Sequence, residues 1–425
     1  MRLTVLTPDA PYPPLDGGAW DTWSRLKALG RIGISVQLVY WVRSETRVPS
    51  ALSAAAASVV TVQERRWRRW WRALVVPPRA LRYELTGARR HSVMGDVRAF
   101  APDAVLLDSW GPALAAFDIS SVASVPLVYR SHNVEHSYLH EQAKRSNGMK
   151  RFRTAVNALA MGRFEAQLRG RACVVLDICQ EDAEAWLNTG HRGKSVVLPP
   201  SFDPSAVQEG PARGLYDTDV LFLGNLWAPN NVEGVLWFLG EVLPHIRLRI
   251  APRVVIAGAK PSQEVRRACL VAHVDCVDNP EDTASLRHRA RVLVNPVRSG
   301  SGVNVKMLEM LAEPAPIVST TAGVRGLPRP LRDFVRVADD AEGFARSCIL
   351  ALSDPTAPDA ELRWAALQES CGDDVLKGVM DVVAESVQGA RSGGGEGQDS
   401  PRAASATLSQ WPWVSRRPKP PGAST

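Results

Sequence analysis

The chain has 425 residues, 45% of them hydrophobic and 22% charged, with a formal net charge of +7. This length suits two domains of roughly 150–200 residues with a tail. No stretch approaches the roughly 20 apolar residues of a membrane-spanning helix, and the first apolar run is too short for a signal peptide. The basic charge indicates anionic partners. The six cysteines lack a C-x-x-C pair, so we expect reduced, mostly buried thiols in a cytoplasmic protein.

The N-terminal residues predict one unit of a doubly wound α/β domain. A strand at 3–6 is followed by a proline-rich loop, a helix at about 19–29 and a second strand at 35–40. The loop ends in Asp16-Gly17-Gly18, and two glycines without Cβ atoms would let a ligand approach the backbone. A plain strand-to-helix turn is the alternative, because the third glycine of the dinucleotide fingerprint is missing.

Residues 63–91 form the most basic segment of the chain, with nine arginines against two glutamates. On a helix the tryptophans would form one apolar stripe bordered by arginines. This pattern predicts contact with an anionic membrane surface, through Arg65, Arg66, Trp67, Trp70 and Trp71. A helix packed on the domain is the first alternative. Nucleic-acid binding is a distant one, and we do not expect that partner.

Polar side chains follow a buried strand predicted at 126–129. The strand leads directly into Arg130-Ser131-His132-Asn133, and ligands of open α/β sheets bind at the carboxyl ends of strands. His132 is therefore a candidate site residue, with a structural histidine as the alternative.

A second α/β unit begins after a linker at about 201–217. Its first strands end in Gly224 and Gly258. We place the first domain at 1–205, the second at 206–372 and a terminal helix that crosses back at 373–388. The remaining 389–425 is rich in Gly, Ser and Pro, which predicts disorder.

The stretch 295–320, NPVRSGSGVNVKMLEMLAEPAPIVST, predicts a strand end, a small-residue loop, a helix at 303–312 and another strand. The loop includes Gly300, Ser301 and Gly302, and its free N–H groups suit an anion such as a phosphate. Lys306 adds a positive charge in the first helical turn. Glu309 shares its helix face, and a carboxylate can accept hydrogen bonds from sugar hydroxyls. A solvated Lys–Glu pair is the alternative.

This stretch resembles the donor-site signature of the retaining, two-domain GT-B glycosyltransferases of family 4, in the form G-x-G-x-x-x-K-x-L-E-x-x-A-x-x-x-P-x-V-S-T. The segments around 11–18 and 132–135 resemble the same family, and the resemblance covers roughly 1–388. It implies an α/β fold of the GT-B type, with two doubly wound Rossmann-like domains facing a central cleft. Family members often carry a glutamate that touches the donor sugar where this chain has Ser301, and a glycine where it has Pro314.

The resemblance also implies roles for the site residues. Glu309 would hold the donor ribose, Lys306 and Arg298 would meet the diphosphate, and His132 would face the donor sugar. Gly17 and Gly18 would lie near the phosphates and sugar. The remaining donor-binding candidates are Gly224, Gly258, Gly300, Ser301 and Gly302.

We therefore predict a hexosyltransferase that moves a sugar from a nucleotide-diphosphate sugar to a hydroxyl of an acceptor glycan or glycolipid in cell-envelope synthesis. It would need no cofactor and no metal, and would work in the cytoplasm or at the inner face of the cell membrane. Two alternatives remain. One is a nucleotide-sugar 2-epimerase of the same fold. The other is a catalytically inactive relative that binds a membrane surface.

Overall fold

Two parallel sheets, each covered by helices on both faces, form two domains in a computed structural model of the protein. The structure describes residues 1–14, 16–44, 47–64, 80–144, 147–191, 193–203, 216–300, 302–354 and 360–392. The predicted membrane-contact residues Arg65, Arg66, Trp67, Trp70 and Trp71, together with Ser301 and most of the tail, lie outside these described residues.

The first domain contains a sheet of seven strands in the order β3-β2-β1-β4-β5-β6-β7. Its strands are β1 Arg2–Thr7, β2 Ser35–Val42, β3 Ser58–Gln63, β4 Ala104–Asp108, β5 Leu127–Ser131, β6 Val174–Asp177 and β7 Ser195–Val197. Its helices are α1 Gly17–Arg31, α2 Ser50–Ala55, α3 Gly87–Phe100, α4 Ala113–Ala123, α5 Glu135–Lys144, α6 Gly148–Arg171 and α7 Gln180–Asn188, with a 3₁₀ turn at Ala80–Tyr83.

The second domain contains a six-stranded sheet in the order β10-β9-β8-β11-β12-β13. Its strands are β8 Thr218–Asn225, β9 Val254–Ala259, β10 Asp275–Asp278, β11 Ala290–Asn295, β12 Ile317–Ser319 and β13 Val335–Val337. Its helices are α8 Pro229–Trp237, α9 Leu243–Arg247, α10 Gln263–Val271, α11 Thr283–His288, α12 Lys306–Leu311, α13 Thr321–Val324, α14 Arg329–Arg332, α15 Ala341–Ser353 and α16 Ala360–Cys371. A π-helical turn at Phe238–Val242 joins α8 to α9, and α17 Asp373–Ser392 follows α16.

The apolar runs of the sequence form these sheets because central parallel strands are buried on both faces. β1 shows this directly: Leu3 and Val5 pack into a core with α1 and α17, whereas Leu6 packs into the opposite core with α3, α4 and α6. The apolar face of α17 packs against the first sheet through Leu376, Val379, Met380, Val383 and Val387. The last described helix thus lies on the first domain, although it follows the second in sequence.

Strand order reverses beside β1 in the first sheet and beside β8 in the second. Such switch points open a crevice at the carboxyl ends of the strands. All six cysteines are free thiols, and four of them are buried. Among the described residues, none of the helices combines the length and apolar character needed to cross a bilayer.

Two helices differ from the sequence prediction. The helix predicted at 303–312 begins only at Lys306, because the preceding backbone forms tighter turns in which Met307 N–H donates to the Asn304 carbonyl. The sequence also predicts a helix at 164–172, and the structure shows that this segment is the end of the much longer α6.

Candidate active site

The carboxyl edges of the two sheets face each other, and α1 of the first domain meets α12 of the second. A Cβ atom on Gly17 would lie 3.5 Å from the Cβ of Val305. Gly302 has a φ of +70° and packs so closely that a Cβ atom there would lie 2.7 Å from the His132 carbonyl oxygen. The left-handed backbone and this contact both require glycine at 302. The structure thus brings Gly17, His132 and Gly302 to one place between the domains.

His132 is positioned by a buried charge network at the edge of the first sheet. Its Nε2 lies 2.5 Å from Asp108 Oδ1, and its Nδ1 lies 3.7 Å from Asp21 Oδ2. Arg25 donates to both carboxylates, at 2.7 Å to Asp21 and 2.5 Å to Asp108. Arg130 donates to Asp21 at 3.1 Å and also to the Leu198 carbonyl.

The network is buried yet ionised. Burial raises the pKa of a carboxyl, but the charge of Arg25 lowers the pKa of Asp108 well below its ordinary value, with His132 contributing. The pKa of Asp21 is lowered as well, since Arg25 and Arg130 outweigh its burial. Two carboxylates and two guanidiniums therefore compensate each other and fix the ring of His132, which is 20% exposed toward the space between the domains.

Glu165 holds the backbone just after His132. Its carboxylate accepts hydrogen bonds from the N–H groups of Glu135 and His136, at 2.9 and 3.0 Å, and thereby caps α5. His136 Nδ1 lies 2.8 Å from the same carboxylate. Because Glu165 belongs to α6, this cap joins the His132 segment to that helix.

Lys306 is the central cation of the second domain's edge. Its amine donates to Asn231 Oδ1 at 3.1 Å and lies 4.2 Å from the centre of the Phe222 ring. It forms no ion pair with a carboxylate in the described part of the chain, and burial lowers the pKa of Lys306 to about 7. A partly desolvated ammonium without a counter-ion is well prepared to bind an anion.

Glu309 is already engaged within the protein. Arg287 Nη1 lies 3.7 Å from its carboxylate, and the Trp20 side chain of α1 lies close enough to lower its pKa. Burial raises the pKa of Glu309, while Arg287 opposes the shift. Arg287 is fixed in turn by Glu313, at 3.0 Å.

Lys306, Glu309 and Arg287 line one cavity of about 10 Å³, together with Leu221, Leu223, Leu293 and Met310. This volume suits about one water molecule. A nucleotide does not fit this cavity, whose lining belongs to the second domain alone.

The glycine loop between β11 and α12 is held by both domains. Arg325 donates to the Gly300 carbonyl at 3.1 Å and lies 3.7 Å from Asp182, a buried carboxylate of α7 in the first domain. Ser299 donates to Glu233 of α8 at 3.1 Å. Arg298 is exposed and stacks over Trp237 of α8, with its guanidinium carbon 5.0 Å from the ring centre.

Gly224 and Gly258 are paired in register at the ends of β8 and β9. A Cβ atom on Gly258 would collide with the Gly224 carbonyl oxygen, and one on Gly224 would lie 3.3 Å from the Lys306 amine. Close strand packing therefore explains Gly258, and room for Lys306 explains Gly224.

The turn after α12, which contains Pro314, is supported from α16. The buried guanidinium of Arg363 donates to the carbonyl oxygens of Glu313 and Ala315, the latter at 3.1 Å. Burial lowers the pKa of Arg363 to about 10. The backbone at this turn is thus held by an arginine.

Of the sequence-predicted residues, the structure gathers Gly17, Gly18, His132, Gly302, Lys306 and Glu309 around the meeting edges. Arg298 points to α8 instead, and Arg325 is the arginine that contacts the glycine loop. Sequence reasoning also missed Asp21, Arg25, Asp108 and Arg287. The i, i+4 spacing of Asp21 and Arg25 on one helix was a usable signal, but the partners more than 80 residues away were not visible.

Comparisons with known proteins agree with this geometry. Residues 217–354, nearly the whole second domain, match the family model for Glycosyl transferases group 1. An "Uncharacterized 44.6 kDa protein in cps region" from Klebsiella pneumoniae is 30% identical over 145 residues, which is 32% of this chain. The match spans 37%, little more than a third, of that relative's length.

Solved structures match nearly the whole chain. Sucrose-phosphate synthase from Thermosynechococcus elongatus has a TM-score of 0.66 at 11% identity, covering 92% of this chain and 100% of that one. Anabaena HepE, solved with UDP-glucose, has a TM-score of 0.61 at 14% identity, covering 91% of this chain and 100% of that one. The fold is therefore GT-B, with two Rossmann-like domains, and the second domain carries the group 1 glycosyltransferase pattern.

Proposed function

We propose that the protein is a retaining glycosyltransferase that takes a sugar from a nucleotide-diphosphate donor bound between the domains. The observation that carries this proposal is Lys306: a partly desolvated amine that forms no ion pair with any described residue, beside the glycine loop and opposite the His132 edge. The match of 217–354 to group 1 glycosyltransferases supports the same reading.

The donor would bind as the domains part between Gly17 and Val305. Its diphosphate would contact Lys306, the N–H groups of the glycine loop and the exposed first turn of α1, whose N-terminus favours negative charge. Arg325 would supply the second cation, since it already contacts the loop. Glu309 would accept hydrogen bonds from the ribose hydroxyls, in place of the Trp20 contact.

In the reaction, the bond between the anomeric carbon and the diphosphate oxygen breaks, and its electron pair stays on that oxygen. The acceptor hydroxyl forms the new C–O bond on the same face of the sugar, and its proton passes to a phosphate oxygen. Lys306 would stabilise the charge that grows on the leaving diphosphate, where preorganised electrostatics contribute most. His132, oriented by Asp108, would face the sugar. We propose that no metal ion is needed for this step.

We propose the acceptor class from one relative. The relative from a cps region supports an acceptor in cell-envelope glycan synthesis, either a glycan or a glycolipid. Since HepE was solved with UDP-glucose, uridine donors are the first to test, with a hexose as the transferred sugar.

The test is to incubate the full chain with a panel of UDP-, GDP- and ADP-sugars, with and without a lipid extract. We expect nucleotide release that depends on the acceptor, and a product that keeps the anomeric configuration of the donor. Isomerisation of the sugar without an acceptor would instead identify a 2-epimerase. Binding without turnover under all conditions would identify an inactive relative and would refute the transferase proposal.

A further inference from the structure

Helix α6 presents large apolar side chains to solvent. Met149, Phe152, Val156 and Leu159 are 72%, 66%, 48% and 73% exposed. Their spacing of three and four residues places them on one helix face, over about 15 Å of helix axis. Apolar residues exposed singly are ordinary, whereas a contiguous stripe marks an interaction surface. The opposite face of the helix packs into the domain core through Met161, Phe164 and Leu168.

The same part of α6 is strongly basic. Residues 148–164 contain four basic residues and no acidic residue. Arg151, Arg153 and Arg163 are exposed, and none of them forms an ion pair within the described part of the chain. An apolar stripe bordered by arginines is the composition of helices that lie in the headgroup region of an anionic bilayer.

Helix α6, which bears this face, is connected to the candidate site through Glu165. Glu165, six residues after the end of the stripe, caps α5 at Glu135, three residues after His132. α6 also packs in the same core of the first domain as Val62 and Ala80, which lie before and after the tryptophans of the basic segment 63–91 in the sequence. The helix therefore connects a basic apolar surface to the edge that bears His132.

We propose that the outer face of α6, defined by Met149, Phe152, Val156 and Leu159 with the three arginines, is a docking surface for an anionic lipid bilayer. Charge complementarity favours an anionic bilayer over a second copy of the chain as the partner of this surface. A two-fold contact between copies would place this patch against itself and bring arginines against arginines, and residues 148–164 supply no carboxylate to offset them. In a bilayer rich in acidic headgroups, the apolar side chains of the stripe can enter the acyl boundary while the arginines pair with the headgroups.

Docking in this way would place the His132 edge near the membrane, which deepens the proposed function for a lipid-linked acceptor. The surface itself can be tested without any nucleotide sugar. Failure of the docking test would therefore leave the transferase proposal intact, and failure of turnover would leave the docking proposal intact.

The test is co-sedimentation of the full chain with vesicles of phosphatidylcholine alone or mixed with phosphatidylglycerol. We expect the mixed vesicles to bind at least about tenfold more tightly, because each arginine near an anionic surface contributes to binding. The double variant Phe152→Ser, Leu159→Ser should lower that affinity by about tenfold or more, since two large apolar groups no longer enter the bilayer.

The matched control is Leu270→Ser, Val271→Ser, which alters two apolar side chains of α10 that are 75% and 73% exposed on the other domain. This control should bind vesicles like the unmodified chain.

Unchanged binding in the double variant Phe152→Ser, Leu159→Ser would overturn the proposal. Loss of binding only in the variant Trp67→Ser, Trp70→Ser would also overturn it. A wild-type dimer that the α6 variant converts to a monomer, with vesicle binding retained, would identify a self-association surface instead. Arg153→Glu, Arg163→Glu should abolish the preference for phosphatidylglycerol, and a retained preference would also contradict the proposal.

Discussion

The two facing edges of this molecule handle charge in opposite ways. At the first-domain edge, Asp21, Arg25, Asp108 and Arg130 are buried and mutually paired around His132. At the second-domain edge, Lys306 is partly desolvated and forms no ion pair with a carboxylate in the described chain. In a buried ion pair the attraction between the charges offsets much of the desolvation penalty, and the hydrogen bonds fix the positions of the side chains. An amine that is buried without such a partner holds its proton weakly until an anion binds. The first edge therefore positions a side chain, and the second is prepared for a ligand.

The largest expected effect comes from breaking the paired edge. Replacing Asp108 by Ala should destabilise the protein by about 3–5 kcal/mol, because Arg25 would remain buried without one of its two partners. Urea unfolding of the variant measures this loss. The matched control is Asp118→Ala, which removes the partner of Arg90 in a surface pair at 2.6 Å and should cost little. An equal loss of unfolding free energy in the two variants would contradict the claim that the buried network at Asp108 stabilises the protein more than the surface pair at Asp118.

The next effect comes from removing the unpaired cation. Lys306→Ala should lower kcat on the order of 10²–10³-fold, the usual loss when one group that stabilises developing charge is removed. Its folding stability should not fall, because the native state no longer holds a desolvated ammonium. The control is Lys377→Ala, which changes an exposed lysine of α17 and should leave turnover unchanged. Normal turnover in Lys306→Ala would remove this residue from the mechanism.

A smaller effect concerns Asp182 of the first domain, which lies 3.7 Å from Arg325 of the second. Burial raises the pKa of Asp182 to about 6, although Arg325 opposes the shift. The native state then binds more protons than the unfolded state between about pH 4 and 6. The ionised carboxylate therefore costs stability above pH 6, and stability falls as the pH rises through this window.

Asp182→Asn should consequently stabilise the protein by about 1–3 kcal/mol at pH 7.5, about 1.4 kcal/mol for each unit of raised pKa. The gain should shrink strongly at pH 4, where Asp182 is protonated in the native state and about half protonated in the unfolded state. Urea unfolding at the two pH values measures the difference. A gain that does not depend on pH would show that the buried charge is not its source.

The sequence was sufficient to predict the fold and the position of the glycine loop. Apolar runs such as those of β1 and β11 follow directly from burial on both sheet faces. The resemblance at 295–320 located Lys306 and Glu309 next to one another, and the structure places both on one cavity. Local pattern and family resemblance were enough for these features because they depend on neighbours in sequence.

Features that depend on distant partners were not predictable. The pairing of Arg25 with Asp108 joins residues 83 positions apart. Gly302, just before α12, packs against the His132 carbonyl of the first domain, a contact that no local propensity encodes. The early start of α6 was missed because its apolar stripe faces solvent, so its pattern does not indicate a core-facing helix.

The most direct test of the central claim is calorimetric titration of the protein with UDP, GDP and ADP at pH 8, in buffers with different enthalpies of ionisation. With a pKa of about 7, Lys306 is largely neutral at pH 8 in the free protein. Binding a diphosphate raises that pKa and draws a proton from the buffer. We predict uptake approaching about 0.9 proton per nucleotide bound, falling to nearly zero in Lys306→Met. Tight binding with no proton uptake, or with equal uptake in Lys306→Met, would contradict the account.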